Sequence, residues 1–327
     1  MNELEINTIK FLAQEEPRNL KDLGMPLGVL IPRIDYFLSM LRDISNTSIN
    51  SIIRDKYKDG LKSYLLKVDE LGGLGFYGRS VNPISYLCRF NSIGIDYHWI
   101  PKNACTFLKK NFASLNEQEI FSYDKNKFHE TIQDSYGMNM SQYIDSAKSS
   151  NLKFAVLRNP IDRLVSCYID KFYLPCVNDK DYEPYILNII KNIYCYFDIK
   201  GDYQKRSVSF SEFLNYITNN PHFSSNEHWR PQIDFLRGVD LDFKVKQENV
   251  ASFLMGKELL FAKKPKKENS SVGLTYNEAT YVGELSEKTP LEVNDELLDY
   301  SQFVTPSQHL LIKTLYAEDF SLYTESI

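Results

Sequence analysis

Two segments carry residues whose types and spacing fit anion chemistry. Tyr97 to Thr106 reads YHWIPKNACT, an apolar run ending in Pro101 and a short polar loop, followed by the helical periodicity of Phe107, Leu108, Phe112 and Leu115. A strand, a tight loop and a helix start aim free backbone N–H groups and the positive end of a helix dipole at one spot. Lys102 adds a full charge there, and Thr106 a hydroxyl donor. A phosphate, or a sulfonate bound to one, suits such a cradle. The GxxxxGK[ST] pattern of a triphosphate loop is absent, which speaks against ATP and against a kinase on this scaffold.

The second segment, Lys153 to Phe172, reads KFAVLRNPIDRLVSCYIDKF. An apolar strand delivers Arg158 at its end, and Asn159 and Pro160 are an N-cap residue and a first-turn residue for a helix. At about 100° per residue, Ile161, Leu164, Val165, Tyr168, Ile169 and Phe172 share one arc, and Arg163, Ser166 and Asp170 the opposite one. Ser166 lies about two turns beyond Arg158, so a guanidinium and a hydroxyl can converge on one phosphate at the carboxyl edge of a sheet. Between the segments, His129 sits in KFHETIQD, where a neutral imidazole can take a proton from an attacking hydroxyl. As a surface residue of a helix, it would have no such task.

The elements that must position these groups alternate. Strands are predicted at Ile95 to Ile100, Lys153 to Leu157 and Leu241 to Val245. Helices are predicted from about Ala104, from Pro160, over Ser209 to Asn219 and over Pro306 to Glu318. That order predicts βαβ units and a parallel sheet. Residues 1 to about 80 read as a helical extension broken by prolines, with a turn-rich join at Leu71 to Tyr77, and 81–327 as the catalytic domain. Lys263 to Lys267 (KKPKK) reads as a solvated loop.

The 327 residues carry a net charge of -5, which excludes nucleic-acid binding by bulk electrostatics and requires any polyanion to meet a local basic cleft. Five cysteines without a CxxC pair, and no Cys/His spacing of a zinc site, predict neither a disulfide framework nor a metal, and a reducing compartment. Met1 to Glu16 lacks the basic flank and apolar run of a signal peptide. Met25 to Leu41 is interrupted by Pro26, Pro32, Arg33 and Asp35, so no integral membrane segment is expected; the expectation is a cytoplasmic protein, with peripheral membrane association as the alternative.

Taken together, IPKNACT (Ile100 to Thr106) and LRNPIDRLVSCYIDKF (Leu157 to Phe172) resemble the two donor-binding motifs of the Golgi-type carbohydrate sulfotransferases, the chondroitin and dermatan 4-O-sulfotransferases and their relatives. The resemblance continues more weakly through Phe210 to Ile217, Asn226 to Trp229, Phe243 to Val250 and a C-terminal helix, covering about residues 95 to 322. It implies an α/β, P-loop-NTPase-like three-layer fold with a central parallel sheet flanked by helices. It further implies a sulfotransferase that uses 3′-phosphoadenosine 5′-phosphosulfate (PAPS), releases 3′-phosphoadenosine 5′-phosphate, needs no metal and acts on a carbohydrate hydroxyl. The acceptor would be a polysaccharide, an oligosaccharide or a glycolipid.

By the same resemblance Lys102 stabilises the leaving group. Lys102, Asn103, Ala104, Cys105, Thr106 and Phe107 hold the 5′-phosphosulfate, Arg158 and Ser166 hold the 3′-phosphate, and His129 is the base with Glu130 in reserve. Glu130, His228 and Arg230 are candidates on the acceptor side. Trp229, His98 and Cys105 read as structural, while Lys266, Lys267, Asn269 and Ser270 read as an exposed loop, with closure over the nucleotide as the alternative. The alternatives are a non-catalytic nucleotide-binding module on the same fold and a sulfotransferase for a non-carbohydrate small molecule. The Golgi enzymes' membrane anchor has no counterpart here.

Overall fold

The computed structural model describes residues 83–116, 128–138, 149–178, 180–219, 226–236, 239, 241–259, 282–293 and 299–327. The expected helical extension, the LGGLGFY join and the KKPKK loop with Lys266, Lys267, Asn269 and Ser270 fall outside them.

In chain order the described elements are β1 (Leu87–Phe90), β2 (Ile95–His98), α1 (Cys105–Leu115), α2 (Phe128–Tyr136), β3 (Leu152–Leu157), α3 (Pro160–Tyr168), α4 (Pro184–Phe197), α5 (Phe210–Asn219), β4 (Phe243–Lys246), α6 (Val250–Gly256), α7 (Pro306–Leu315) and α8 (Ala317–Glu325), with short helical turns between them. The four strands form one sheet in the order β1-β2-β3-β4. β2 pairs parallel to β3 in the register Tyr97 to Phe154, and β3 parallel to β4 in the register Val156 to Val245. These are the three strands expected, two from apolar runs and the third from the alternation of LDFKV.

β1 was not expected, and it corrects the all-parallel sheet. It pairs antiparallel to β2, Cys88 opposite Tyr97, through a tight connection whose Gly94 takes a left-handed φ of 63°. LCRF is too short to announce itself by alternation, and only its pairing with β2 makes it a strand.

Helices cover both faces of the sheet, and the alternation along β3 shows why. Phe154 and Val156 face Phe112, Ile132, Val245 and Leu254 from α1, α2, β4 and α6. Ala155 and Leu157 face the other way, onto Phe235, Leu236 and Leu322. A strand buried on both sides reads as a continuous apolar run, as Phe154 to Leu157 does. A third, aromatic cluster centres on Tyr168, Phe172, Phe210, Phe213, Trp229 and Phe303, which seats α3 against α5 and α7. Trp229 is core, as its sequence context predicted.

The helix predicted over Pro306 to Glu318 is two. α7 starts with a capping box at Thr305 and Gln308, and ends at Tyr316, which has φ -114° and whose hydroxyl donates to the Trp229 carbonyl at 2.6 Å. α8 then restarts at Ala317. That tertiary bond, invisible in the local pattern, fixes the break.

Gly283 marks a close approach that supports the site. Its φ is +61°, and an added Cβ would come within 2.5 Å of Thr305 Cγ2 and 2.8 Å of Thr305 Cα. Its N–H donates to the Ser301 carbonyl at 3.1 Å, beside Tyr300. Gly283→Ala is therefore expected to lose at least the cost of a left-handed non-glycine residue, about 1–2 kcal/mol. For a domain of this size that amounts to a drop of roughly 2–8 °C in thermal midpoint. An unchanged melting curve would show that the loop relaxes freely.

Candidate active site

The loop between β2 and α1 is strained, and the strain shapes it. Lys102 (φ 70°) and Ala104 (φ 57°) are both left-handed, while Asn103 between them is not. Alternating backbone hand turns successive N–H groups toward one concavity, the geometry of an anion nest. Each such residue costs on the order of 1–2 kcal/mol and persists only where its surroundings over-determine it.

Asn103 supplies that constraint. It is 0% exposed, and its Nδ2 donates to the Val156 carbonyl at 2.8 Å and to Gln232 Oε1 at 2.6 Å. Its own N–H is used on the Ile100 carbonyl at 3.2 Å. Asn103 is therefore an anchor turned inward, which corrects the expectation that its N–H belongs to the anion site. The free groups start one step later. Ala104 is the N-cap of α1 and offers no side-chain cap, and the first backbone bond of the helix is Leu108 N–H to the Ala104 carbonyl at 3.0 Å. The N–H groups of Cys105, Thr106 and Phe107 precede it and have no partner inside the helix. Cys105, expected inside the loop, is the first residue of α1.

The second segment meets the first directly. Asn159 caps α3 by accepting the Ile161 N–H at 2.9 Å, with Pro160 in the first turn, as its residue types predicted. Arg158, at the end of β3, donates from Nη1 to the Lys102 carbonyl at 3.0 Å and from Nη2 to the Tyr300 hydroxyl at 2.8 Å. Two of its five donors are thereby fixed. Ser166 lies two turns into α3 and is 7% exposed.

Arg163 does not share the exposed polar arc assigned to it. It is 2% exposed, and its guanidinium donates to the carbonyls of Pro101 at 3.0 Å, Arg230 at 2.6 Å and Glu227 at 3.0 Å. The planar fork reaches three carbonyls on two segments at once, which the point charge of a lysine cannot do. Arg163 thus ties the start of the cradle to the NEHWR segment.

Gln232, which the sequence reading passed over, locks the two motifs together. It is 0% exposed. Its Oε1 accepts from Asn103 Nδ2 and from the Arg158 N–H at 3.0 Å, its Nε2 donates to the Arg158 carbonyl at 2.8 Å, and its own N–H donates to Asp319 Oδ2 at 2.7 Å. The one signal was its place two residues after Arg230, itself a candidate site residue. No local pattern marks an amide that bridges three distant segments.

Lys102 Nζ lies 3.0 Å from Asp170 Oδ2, with Lys171 Nζ 3.7 Å from the same oxygen. Asp170 belongs to a π-helical turn, Ile169–Tyr173, that follows α3, and such one-turn bulges re-aim side chains at functional sites. Burial raises the Asp170 pKa, but Lys102 and Lys171 outweigh it and hold the carboxyl below its ordinary value.

His129 reaches the cradle from α2. Its Nε2 is 3.1 Å from Thr106 Oγ1, its Nδ1 is 3.4 Å from Lys109 Nζ, and its ring stacks on Trp99 at 6.1 Å between centroids. Thr106 thus meets the histidine as well as the cradle. His129 is exposed on α2, a helix-surface position, but its ring is flanked by Trp99 and Phe128, and that partial desolvation, followed by Lys109, Lys171 and Lys110, lowers its pKa to about 4. Its neighbour Glu130 is exposed as well.

His228 has its Nδ1 3.1 Å from Asn226 Oδ1 and its ring stacked on Tyr185 at 6.1 Å. Burial and then Lys171 and Lys102 lower its pKa to about 3, against the pull of Asp170. Both imidazoles thus lie in the field of one lysine, Lys171. Arg230 is 4% exposed, and burial lowers its pKa against Tyr86, Asp234 and Glu227. His98 is buried in the sheet, a structural residue.

Among the described residues no group of three or more His, Cys, Asp or Glu side chains could hold a metal ion, and no helix is long and apolar enough to cross a membrane. All five cysteines are free. Comparison with curated proteins and with solved structures finds no match. A family model described as the sulfotransferase family, by contrast, matches residues 90–324, the span that holds β2, β3 and β4, the strained loop, Arg158 and the Gln232 bridge. This chain belongs to the sulfotransferase family, and its enzymatic class is that of a sulfotransferase.

Proposed function

We propose that the protein transfers a sulfuryl group from PAPS to a carbohydrate hydroxyl, on a P-loop-like three-layer catalytic domain spanning residues 81–327. The observation that carries this reading is the bond from Arg158 Nη1 to the Lys102 carbonyl, which joins two motifs 56 residues apart into one anion-binding surface. The donor carries two anionic ends, and the surface offers two kinds of anion site. The N–H groups of Ala104, Cys105, Thr106 and Phe107 above Asn103 suit the 5′-phosphosulfate. The spare donors of Arg158, with the hydroxyl of Ser166, suit the 3′-phosphate. Bound there, PAPS supplies an activated sulfuryl group and a phosphate leaving group.

The chain's own residues then have three tasks: to hold the reacting atoms in line, to stabilise charge on the leaving oxygen, and to remove the acceptor's proton. Lys102 takes the second, exchanging Asp170 for the developing negative charge. His129, uncharged at neutral pH, takes the third, and Glu130 beside it is the reserve. His228, stacked on Tyr185, and Arg230 border the acceptor side. The acceptor class rests on the motif resemblance alone.

The test is binding of labelled PAPS and release of 3′-phosphoadenosine 5′-phosphate in the presence of a mixed glycan pool. Arg158→Ala removes charge-assisted hydrogen bonds worth about 1.5–3 kcal/mol, so PAPS affinity is expected to fall roughly 10–150-fold with the fold retained. Unchanged PAPS affinity in that variant would sink the donor assignment. Turnover only with a non-carbohydrate hydroxyl would replace the acceptor class and leave the donor in place.

A further inference from the structure

Lys109 is the only fully buried lysine among the described residues, at 0% exposure, and the chemistry above gives it no task. It rises from α1 beneath Trp99, its Nζ 3.3 Å from the ring centroid, and lies 3.4 Å from His129 Nδ1. Among the described residues no carboxylate forms an ion pair with it. A buried ammonium without a counter-ion is unfavourable, whereas a buried amine is a hydrogen-bond acceptor. Burial pushes the Lys109 pKa down, with Cys88, Cys105 and Glu227 pulling the other way.

The charge on Lys109 decides what the exposed nitrogen of His129 can do. An ammonium would donate to Nδ1 and leave the ring's only proton on Nε2. That nitrogen, 3.1 Å from the Thr106 hydroxyl at the mouth of the cradle, would then be a donor. A second proton on the ring would create an imidazolium beside an ammonium, with Lys110 and Lys171 adding to the repulsion. An uncharged amine reverses the assignment: Nδ1–H donates to Nζ, and the Nε2 lone pair faces the cradle.

We propose that Lys109 and His129 form a proton relay, in which uncharged Lys109 holds the His129 tautomer with a bare Nε2 and accepts the Nδ1 proton during transfer. The proposal rests on the reading of His129 as the base. As the acceptor's O–H bond breaks, its proton goes to Nε2 and its electron pair forms the new O–S bond. The S–O bond to the leaving phosphate breaks with its pair. The Nδ1–H proton moves to Nζ, so the ring ends neutral in its other tautomer and Lys109 ends as an ammonium over the indole face, which favours a cation. Lys109 is thus a positioning residue that acts through His129, and Trp99 is its support.

The relay accounts for a histidine whose own pKa of about 4 makes imidazolium a poor resting place for the proton. It also predicts that turnover rises with pH through an ionisation of the pair, set by Lys109, well above that of the imidazole.

Selective 15N-histidine labelling of the full chain, with the signal assigned by His129→Gln, reads the tautomer directly. At the pH where release of 3′-phosphoadenosine 5′-phosphate from PAPS with a mixed glycan pool is maximal, Nδ1 should carry the proton and Nε2 none. A protonated Nε2 at that pH overturns the relay. Lys109→Met should bind PAPS within about twofold of wild type, lose about 10–100-fold in turnover and lose the high-pH ascending limb. Lys109→Arg keeps the charge but cannot give up its proton, so it should not restore turnover.

Wild-type turnover and pH profile in Lys109→Met would equally overturn the relay, and should that variant fail to fold, the wild-type tautomer still decides. Full turnover in His129→Ala would instead bring down the assignment of the base, and the relay with it. An inactive His129→Ala beside a fully active Lys109→Met would sink the relay alone.

Discussion

Lys102→Ala is expected to lower turnover of PAPS by about 10²–10³-fold, the usual cost of removing one preorganised group aimed at developing charge. The fold should survive. Lys102 makes its ion pair with Asp170 at a half-exposed site, and such pairs contribute at most about 1 kcal/mol. Its backbone carbonyl, which receives Arg158, is kept by any substitution.

A second variant separates the side chain from the backbone. The φ of 70° costs a non-glycine residue roughly 1–2 kcal/mol, so Lys102→Gly should be more stable than Lys102→Ala and no more active. Turnover by Lys102→Ala within threefold of wild type, with PAPS bound normally, would remove Lys102 from the chemistry.

Gln232→Met is expected to damage both stability and donor binding, although Gln232 is placed to touch no ligand. The methionine fills a similar volume but leaves the Arg158 N–H and carbonyl without their partners and takes one of two acceptors from Asn103 Nδ2. At about 1–3 kcal/mol for each orphaned buried group, the loss is about 2–6 kcal/mol, a large share of a domain's stability.

The loosened Asn103 also ceases to enforce the left-handed turns at Lys102 and Ala104, so PAPS affinity should fall further than stability alone explains. Measured well below the thermal midpoint, a fall in affinity of tenfold or more is expected. A variant that melts earlier yet binds PAPS with wild-type affinity would show that the cradle holds its shape without this bridge.

What the sequence determined was local. Ile95 to His98 and Leu152 to Leu157 are strands because short runs buried on both faces are largely apolar, and Phe243 to Lys246 because apolar and polar residues alternate along it. Asn159-Pro160 starts a helix because one side chain accepts an N–H and the other preorganises φ. The strand, tight turn and helix start around Lys102 were legible because they follow one another within about ten residues.

What the tertiary structure decided was which polar groups face inward. Arg163 and Asn103 have the composition of a site's surface and are instead its hidden braces. Gln232 binds residues 74 and 129 positions away, Lys109 meets His129 from another helix, and the bond from Tyr316 to Trp229 breaks a helix the local pattern runs through. Periodicity reports the environment a residue prefers on its own element. A buried hydrogen bond between elements depends on the whole packing, because only there does a polar side chain lose water and have to find a partner in the chain.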